Sequence, residues 1–187
     1  MKIIITPSEK RLVLFVTCIF LVLIMAINIL GYFLDMENIS IIAAANQVDK
    51  YRVRNKLLLD TMERVGVCNP EAVANLWAGG LKRRSAADQY ASLNSVLRKE
   101  YAKQLEESAP NWVTGVSSPW IESYSISSSE KIDNDNYIFK LQFKTQSSTG
   151  PAGDYEATLK VTREGDFWRI SDIKADEGLY VYTGFKI

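Results

Sequence analysis

The chain contains no histidine. That absence excludes a Ser-His or Cys-His nucleophile pair, the zinc sets built on imidazole, and a side chain that titrates unaided near neutral pH. Cysteine is nearly missing too: Cys18 lies inside an apolar run and Cys68 well beyond it, so the two cannot be expected to pair and no disulfide framework exists. Charge of one sign is not in excess, since 22 Lys and Arg face 22 Asp and Glu. The broad basic footprint of a polyanion binder is absent, and no nucleic-acid partner is expected. The sequence also lacks a phosphate-cradling glycine loop, a metal-ligand spacing, a nucleophile elbow and an internal repeat, so no cofactor is expected. With 47% apolar residues among 187, collagen-like and disordered classes are excluded as well.

What is present begins with an uncharged run of 23 residues from Leu12 to Leu34, interrupted only by Thr17, Cys18, Asn28 and Gly31. As a helix it would span about 35 Å, enough for a hydrocarbon core of about 30 Å. Lys2, Lys10 and Arg11 outweigh Glu9 before the run, and Asp35 and Glu37 follow it. The positive-inside bias therefore predicts residues 1–11 as a cytoplasmic tail, 12–34 as a transmembrane helix and residues 35–187 outside the cell or inner membrane. A cleaved signal ending near Ala43-Ala44-Ala45 is the competing reading, against which stands an apolar core longer than the usual 7–15 or so residues. Beyond the run, 19 basic and 21 acidic residues leave net −2, so an anionic lipid surface should not draw the domain in. Cys68 reads as a small buried apolar residue.

Residues 35–68 form a predicted juxtamembrane helical segment. Val48, Tyr51, Asn55, Leu58, Met62 and Val65 recur at intervals of 3-4-3-4-3, a helical stripe with heptad phase and a polar Asn at its third position. Two packings satisfy it: a parallel self-association in which Asn55 sets register, or one face laid on the protein's own domain. Gly66 is the expected end. Asn69-Pro70-Glu71 is a helix start, with an Asn cap, Pro at the first position and an early carboxylate. The helix it opens buries Val73, Leu76, Trp77 and Leu81 and ends on Lys82-Arg83-Arg84, read as a solvated helix end. A short helical turn follows over Ala86–Tyr90, then a helix capped by Asn94 or Ser95 that repeats Leu97, Tyr101 and Leu105.

After Pro110 the period changes to two. Strands are predicted through Trp120–Ile126, through Tyr137, Phe139, Leu141 and Phe143, through Tyr155, Ala157, Leu159 and Val161, and through Phe167–Ile173. Asp133–Asn136, Gly150–Gly153 and Glu164–Asp166 supply turns, and such short connections make the strands antiparallel. The expected fold class is α+β, helices packed on an antiparallel sheet with one buried face, in a domain over 69–187.

Helices followed by long antiparallel strands ending in Trp168-Arg169-Ile170-Ser171-Asp172-Ile173, with the opening helix of Ala72, Leu76 and Trp77, then Tyr90 and the Val161–Trp168 hairpin, resemble the nuclear transport factor 2-like (cystatin-like cone) superfamily over roughly residues 69–175. The resemblance implies a curved sheet wrapping the helices into a cone. It also implies two kinds of function. One is enzymatic, as in the family's isomerases and dehydratases, which place an acid or a His–Asp pair in the cone mouth. The other is non-catalytic, as in single-pass membrane components of conjugation and type IV secretion machines. The layout here is similar to the second kind, so the expected function is an exported binding or assembly module of a cell-envelope complex. Its expected partners are the lipid bilayer, other envelope proteins and a further copy of the chain. The alternatives are a pocket for a small apolar ligand, or an isomerase-like site.

For those alternatives the candidate residues are Trp112, Trp120, Tyr124, Trp168 and Asp172. Simple alternation places Glu122 and Tyr124 on the Trp120 face, and Asp172 on the face of Trp168 and Ile170, where a carboxylate could be buried. Trp77 and Phe143 could join an aromatic pocket or simply be core. The small-residue stretch from Trp112 to Trp120 is the candidate contact loop.

Overall fold

A computed structural model describes residues 7–184, and the side chains of residues 7–18, 34–35, 37–43 and 46 are outside that description. Lys2, much of the predicted tail, and eight of the 23 positions of the apolar run therefore lie outside the described side chains. Among the described residues, no helix is long and apolar enough to cross a membrane. The chain divides into two compact units, Met1–Leu57 and Leu58–Ile187.

The first unit is carried by α1, which runs unbroken over Pro7–Arg64 and so ends in the second unit. The predicted membrane and juxtamembrane segments are thus parts of one helix. Its described apolar positions from Ile19 to Phe33 are exposed.

The second unit is α+β. After α1 come α2 (Pro70–Arg83), α3 (Ala86–Ser92) and α4 (Ser95–Ser108), then β1 (Trp120–Lys131), β2 (Asn136–Ser147), β3 (Gly150–Glu164), β4 (Phe167–Ala175), a 3-10 turn over Glu177–Leu179 and the short α5 (Tyr180–Thr183). The local reasons are those the sequence announces. Asn69 Oδ1 accepts from the N–H groups of Glu71 and Ala72 at 2.9 and 3.1 Å, ahead of Pro70. Ser85 caps α3 and Asn94 caps α4 in the same way. Arg84 closes α2 in the left-handed conformation, and its predecessor Arg83 is bonded to Asp88 at 2.8 and 3.1 Å, so the basic triplet is used as a helix end. Gly80 lets α2 meet α3 closely, because a Cβ there would stand 3.0 Å from Gln89 Cγ and 3.1 Å from the Gln89 backbone nitrogen, so α3 would have to give way by a few tenths of an ångström.

The sheet is a meander in the order β1-β2-β3-β4, every pair antiparallel. Its inner face carries Phe139, Leu141, Phe143, Ala157, Leu159, Val161, Ile170 and Ile173, all buried, against Val73, Trp77 and Leu81 of α2 and Tyr101 and Leu105 of α4. The outer face alternates polar, as in Lys140, Gln142 and Lys144. Between β1 and β2 the Asp133 carboxylate accepts from the Asp135 N–H and from the Asn136 amide. Those bonds, the Asn136 amide first, hold its carboxyl below the usual range. The chain's end is part of the core: Leu179 and Tyr182 are buried, and the Tyr101 hydroxyl donates to the Thr183 carbonyl at 3.0 Å.

Two expectations of strand alternation are corrected by β-bulges. One residue is inserted between Ile121 and Ser123, so Ile121 faces the core while Glu122 is exposed. Another is inserted at Ser171, because Val161 opposes Ile170 while Lys160 opposes Asp172. Ile170 and Ile173 consequently share the core, and Asp172 points to solvent across from Lys160. Cys68 is also corrected: it is exposed, because the neighbouring Val67 is bridged to Trp168 of β4 and the chain alternates outward before the Asn69 cap.

Candidate functional site

The residues nominated for a pocket do not meet in one place. Trp112 has φ +61 and lies against Tyr90, ring centroids 5.3 Å apart. Its loop is pinned to the helical side, with the Ala86 N–H donating to the Trp112 carbonyl and the Thr114 N–H to Arg84. Val113 and Val116 remain exposed at its surface. Trp120 starts β1, half-buried, and Tyr124 donates its hydroxyl to the Asn75 carbonyl at 3.3 Å. Trp168 stands edge-on to Tyr137 at 5.3 Å on β4. Glu122 on β1 and Asp172 on β4 belong to opposite edges of the sheet, also several residues apart along the strands, and both are exposed. Among the described residues no three carboxylates or cysteines cluster as a metal set would.

Trp77 and Phe143 meet edge-to-face at 6.1 Å, and Phe143 meets Tyr124 at the same separation. Together with Phe139, Leu141 and Tyr101 they fill the space between helices and sheet. Burial pushes the Tyr101 hydroxyl well above its ordinary range, and pushes Tyr90 up to about 12 with help from the Glu63 carboxylate that accepts its hydrogen bond at 2.9 Å. Folded-state values raised in this way leave stability intact below pH about 10, where both states keep the phenol proton, and remove it as pH climbs toward 12. Urea unfolding from pH 9 to 12 should show that decline, with a shallower slope in Tyr90→Phe; an unchanged slope in the variant would contradict the assignment to Tyr90.

The α1 stripe is exposed along most of its length. Val48 and Leu58 are 64% and 56% exposed, Tyr51, Asn55 and Val65 are exposed too, and only Met62 is half-buried. Within the second unit, Met62 and the nearby Leu59 pack against the core. Arg54 lies 4.8 Å from the Tyr51 ring, and the Gln47 amide donates to the Tyr51 hydroxyl at 2.8 Å.

The chemistry that sequence reading missed lies at the carboxyl end of α1. Arg98 and Arg169 are only 4% and 3% exposed. Arg98 donates from Nε to the Tyr90 carbonyl at 3.0 Å, from Nη2 to Ala91 at 2.9 Å and from Nη1 to Glu63 at 3.3 Å. Arg169 donates from Nη1 to Ala91, and from Nη2 to Val65 at 2.6 Å and Glu63 at 3.4 Å. These carbonyls close α1 and α3, the negative ends of two helices, where cations are favoured. Burial lowers both guanidinium values, and Arg169, with Arg98 beside it, falls to about 10. The signal for Arg169 was its place between core residues Trp168 and Ile170; Arg98 carried none, one turn from Tyr101 on a helix that otherwise reads as charged.

No protein-family model matches the chain, and no curated protein matches it. Among solved structures it is similar to a Thiobacillus denitrificans protein described as a calcium/calmodulin-dependent protein kinase type II association domain, at 14% identity and TM-score 0.45, covering 59% of this chain and 96% of that one. It is similar to the intermembrane space region of the chloroplast protein ARC6, at 13% identity and TM-score 0.40, covering 56% and 92%. A Nostoc punctiforme protein of unknown function with a cystatin-like fold matches at 12% identity and TM-score 0.39, covering 57% and 88%.

Proposed function

We propose that the chain is a single-pass membrane protein whose exported α+β domain, a cone of the nuclear transport factor 2-like type, is a non-catalytic binding or assembly module of a cell-envelope complex such as a conjugation or type IV secretion-like machine. The observation that carries this reading is the stretch Ile19–Phe33 of α1, uncharged, apolar on every side of the helix and exposed throughout. A helix apolar all round is buried in protein or in a bilayer, and within its own unit this stretch is exposed. Its one amide, Asn28, donates to the Ile24 carbonyl at 2.8 Å, which satisfies within the helix a group that hydrocarbon would leave unpaired.

Assembly is favoured over a ligand pocket by two further features. The space between helices and sheet is filled by aromatic and aliphatic side chains, and the candidate acids stand exposed at opposite sheet edges. The apolar row Val48–Tyr51–Leu58, broken by Asn55, is by contrast open to a partner helix. Anchoring in one membrane would also hold neighbouring copies parallel and at high effective concentration.

The test is cross-linking of the full chain in its own membrane with a short bismaleimide at Cys68, followed by mass spectrometry of the products. A species of twice the 21.1 kDa chain mass, or one joined to envelope proteins, is expected, and it should fall away in Tyr51→Asp/Leu58→Asp. Recovery of the chain alone from wild type would overturn the reading.

A further inference from the structure

The last turns of α1 are held to their domain by an unusual balance of forces. Of the apolar side chains from Leu58 to Val67, Leu59, Met62 and Val67 pack against the core, all only half-buried, while Leu58 and Val65 are exposed. The rest of the attachment is polar. Arg98 and Arg169 grip the Glu63 and Val65 carbonyls, Tyr90 donates to the Glu63 carboxylate, and the Trp168 N–H donates to Val67 at 2.8 Å. Gly66 is threaded so closely past Phe167 and Arg169 that a Cβ would collide with both, standing 2.7 Å from the Arg169 Nη2.

The grip has a cost built into it. Two buried guanidinium cations share the carbonyls of Glu63 and Ala91, and among the described residues neither has a carboxylate in ion-pair contact. The Glu164 and Glu63 carboxylates act on Arg98, and Glu164 on Arg169, only from beyond ion-pair contact, and burying like charges so loosely compensated is expensive even when every bond is made. A cleft of about 270 Å³ lined by Glu63, Ser95, Arg98, Lys99 and Glu164 adjoins the Arg98 side, giving water a route to the groups an opening would free. Segments with few apolar contacts and a solvent-accessible polar attachment are the ones that open locally, ahead of global unfolding.

We propose that Arg98 and Arg169 form a latch on the carboxyl end of α1, which opens as a local unit comprising residues 59–67 while the sheet stays folded. Opening frees the Met62 side chain, which the closed segment holds against the core, for contact with a second copy of the chain. That consequence rests on the self-association reading above; the latch itself does not.

Hydrogen exchange read by mass spectrometry, on the full chain in nanodiscs, tests it. In Arg169→Met and Arg98→Met the amides of 59–67 should exchange at least about tenfold faster, while those of 137–145 and 157–161 keep their wild-type rates. Unchanged exchange over 59–67, or acceleration shared equally with the strands, overturns the latch. Wild type supplies the same answer if a variant fails to fold: with rising sub-denaturing urea, 59–67 should exchange by a path nearly insensitive to urea, and a slope equal to that of the strands overturns the proposal. A Cys68 dimer missing from wild type and variants alike, with the exchange difference present, would sink self-association and leave the latch standing.

Discussion

Phe143→Ala should lower the stability of the α+β domain by about 3–5 kcal/mol, out of a total that for such domains is about 5–15 kcal/mol. Phe143 is fully buried at the centre of β2, touching Trp77 edge-to-face and Tyr124 on its other side. Truncation would remove the transfer energy of the ring and leave a cavity between the sheet and α2, neither of which can collapse onto the other without breaking a strand register. The expected readout is a fall in the thermal midpoint of roughly 10–15 °C by tryptophan fluorescence. Asp172→Asn, on the outer face opposite Lys160, should stay within about 0.5 kcal/mol of wild type. Comparable losses from both would contradict the assignment of inner and outer faces.

Leu21→Arg, Ile24→Arg, Ile27→Arg and Leu30→Arg together should abolish membrane anchoring. Four central arginines add about 10–14 kcal/mol to the insertion free energy. The run from Leu12 to Leu34 holds sixteen Leu, Ile, Val and Phe residues. The twelve that remain supply only about −4 to −7 kcal/mol on the same scale, before the penalties of Asn28 and Gly31. Wild type should resist extraction by alkaline carbonate, and the quadruple variant should be found outside the membrane fraction. Carbonate-resistant membrane association of the variant would remove the ground for reading α1 as a span.

Much of the fold could be read from local pattern, because the local rules and the tertiary contacts agree. The Asn69-Pro70-Glu71 start, the Phe139–Phe143 and Ala157–Val161 alternations and the turn at Asp133–Asn136 each state a conformation through chemistry confined to a few residues. The two misplaced acids, Glu122 and Asp172, share a single cause. A β-bulge shifts the parity of everything after it, and neither Glu122 nor Ser171 is marked as an insertion by its residue type, so Asp172 was expected inside and stands outside. The 168-170-173 spacing of Trp168, Ile170 and Ile173 is the trace such a bulge leaves, two residues and then three. The arginine latch was invisible for a different reason: Arg98 and Arg169 are 71 positions apart and are buried by carbonyls at the ends of helices, partners that no side-chain pattern encodes. The closing segment Leu179–Thr183 is likewise too short to show a period.

The most direct measurement is thiol labelling of intact cells with a membrane-impermeant maleimide. Cys68 is exposed, lies beyond the proposed span and has Cys18 as the chain's only other thiol, so the native sequence already carries the probe. The account predicts that Cys68 labels fully without permeabilising the cells, which places the α+β domain outside. Labelling of Cys68 only after the membrane is broken would put that domain in the cytoplasm and contradict the proposed role in an envelope complex.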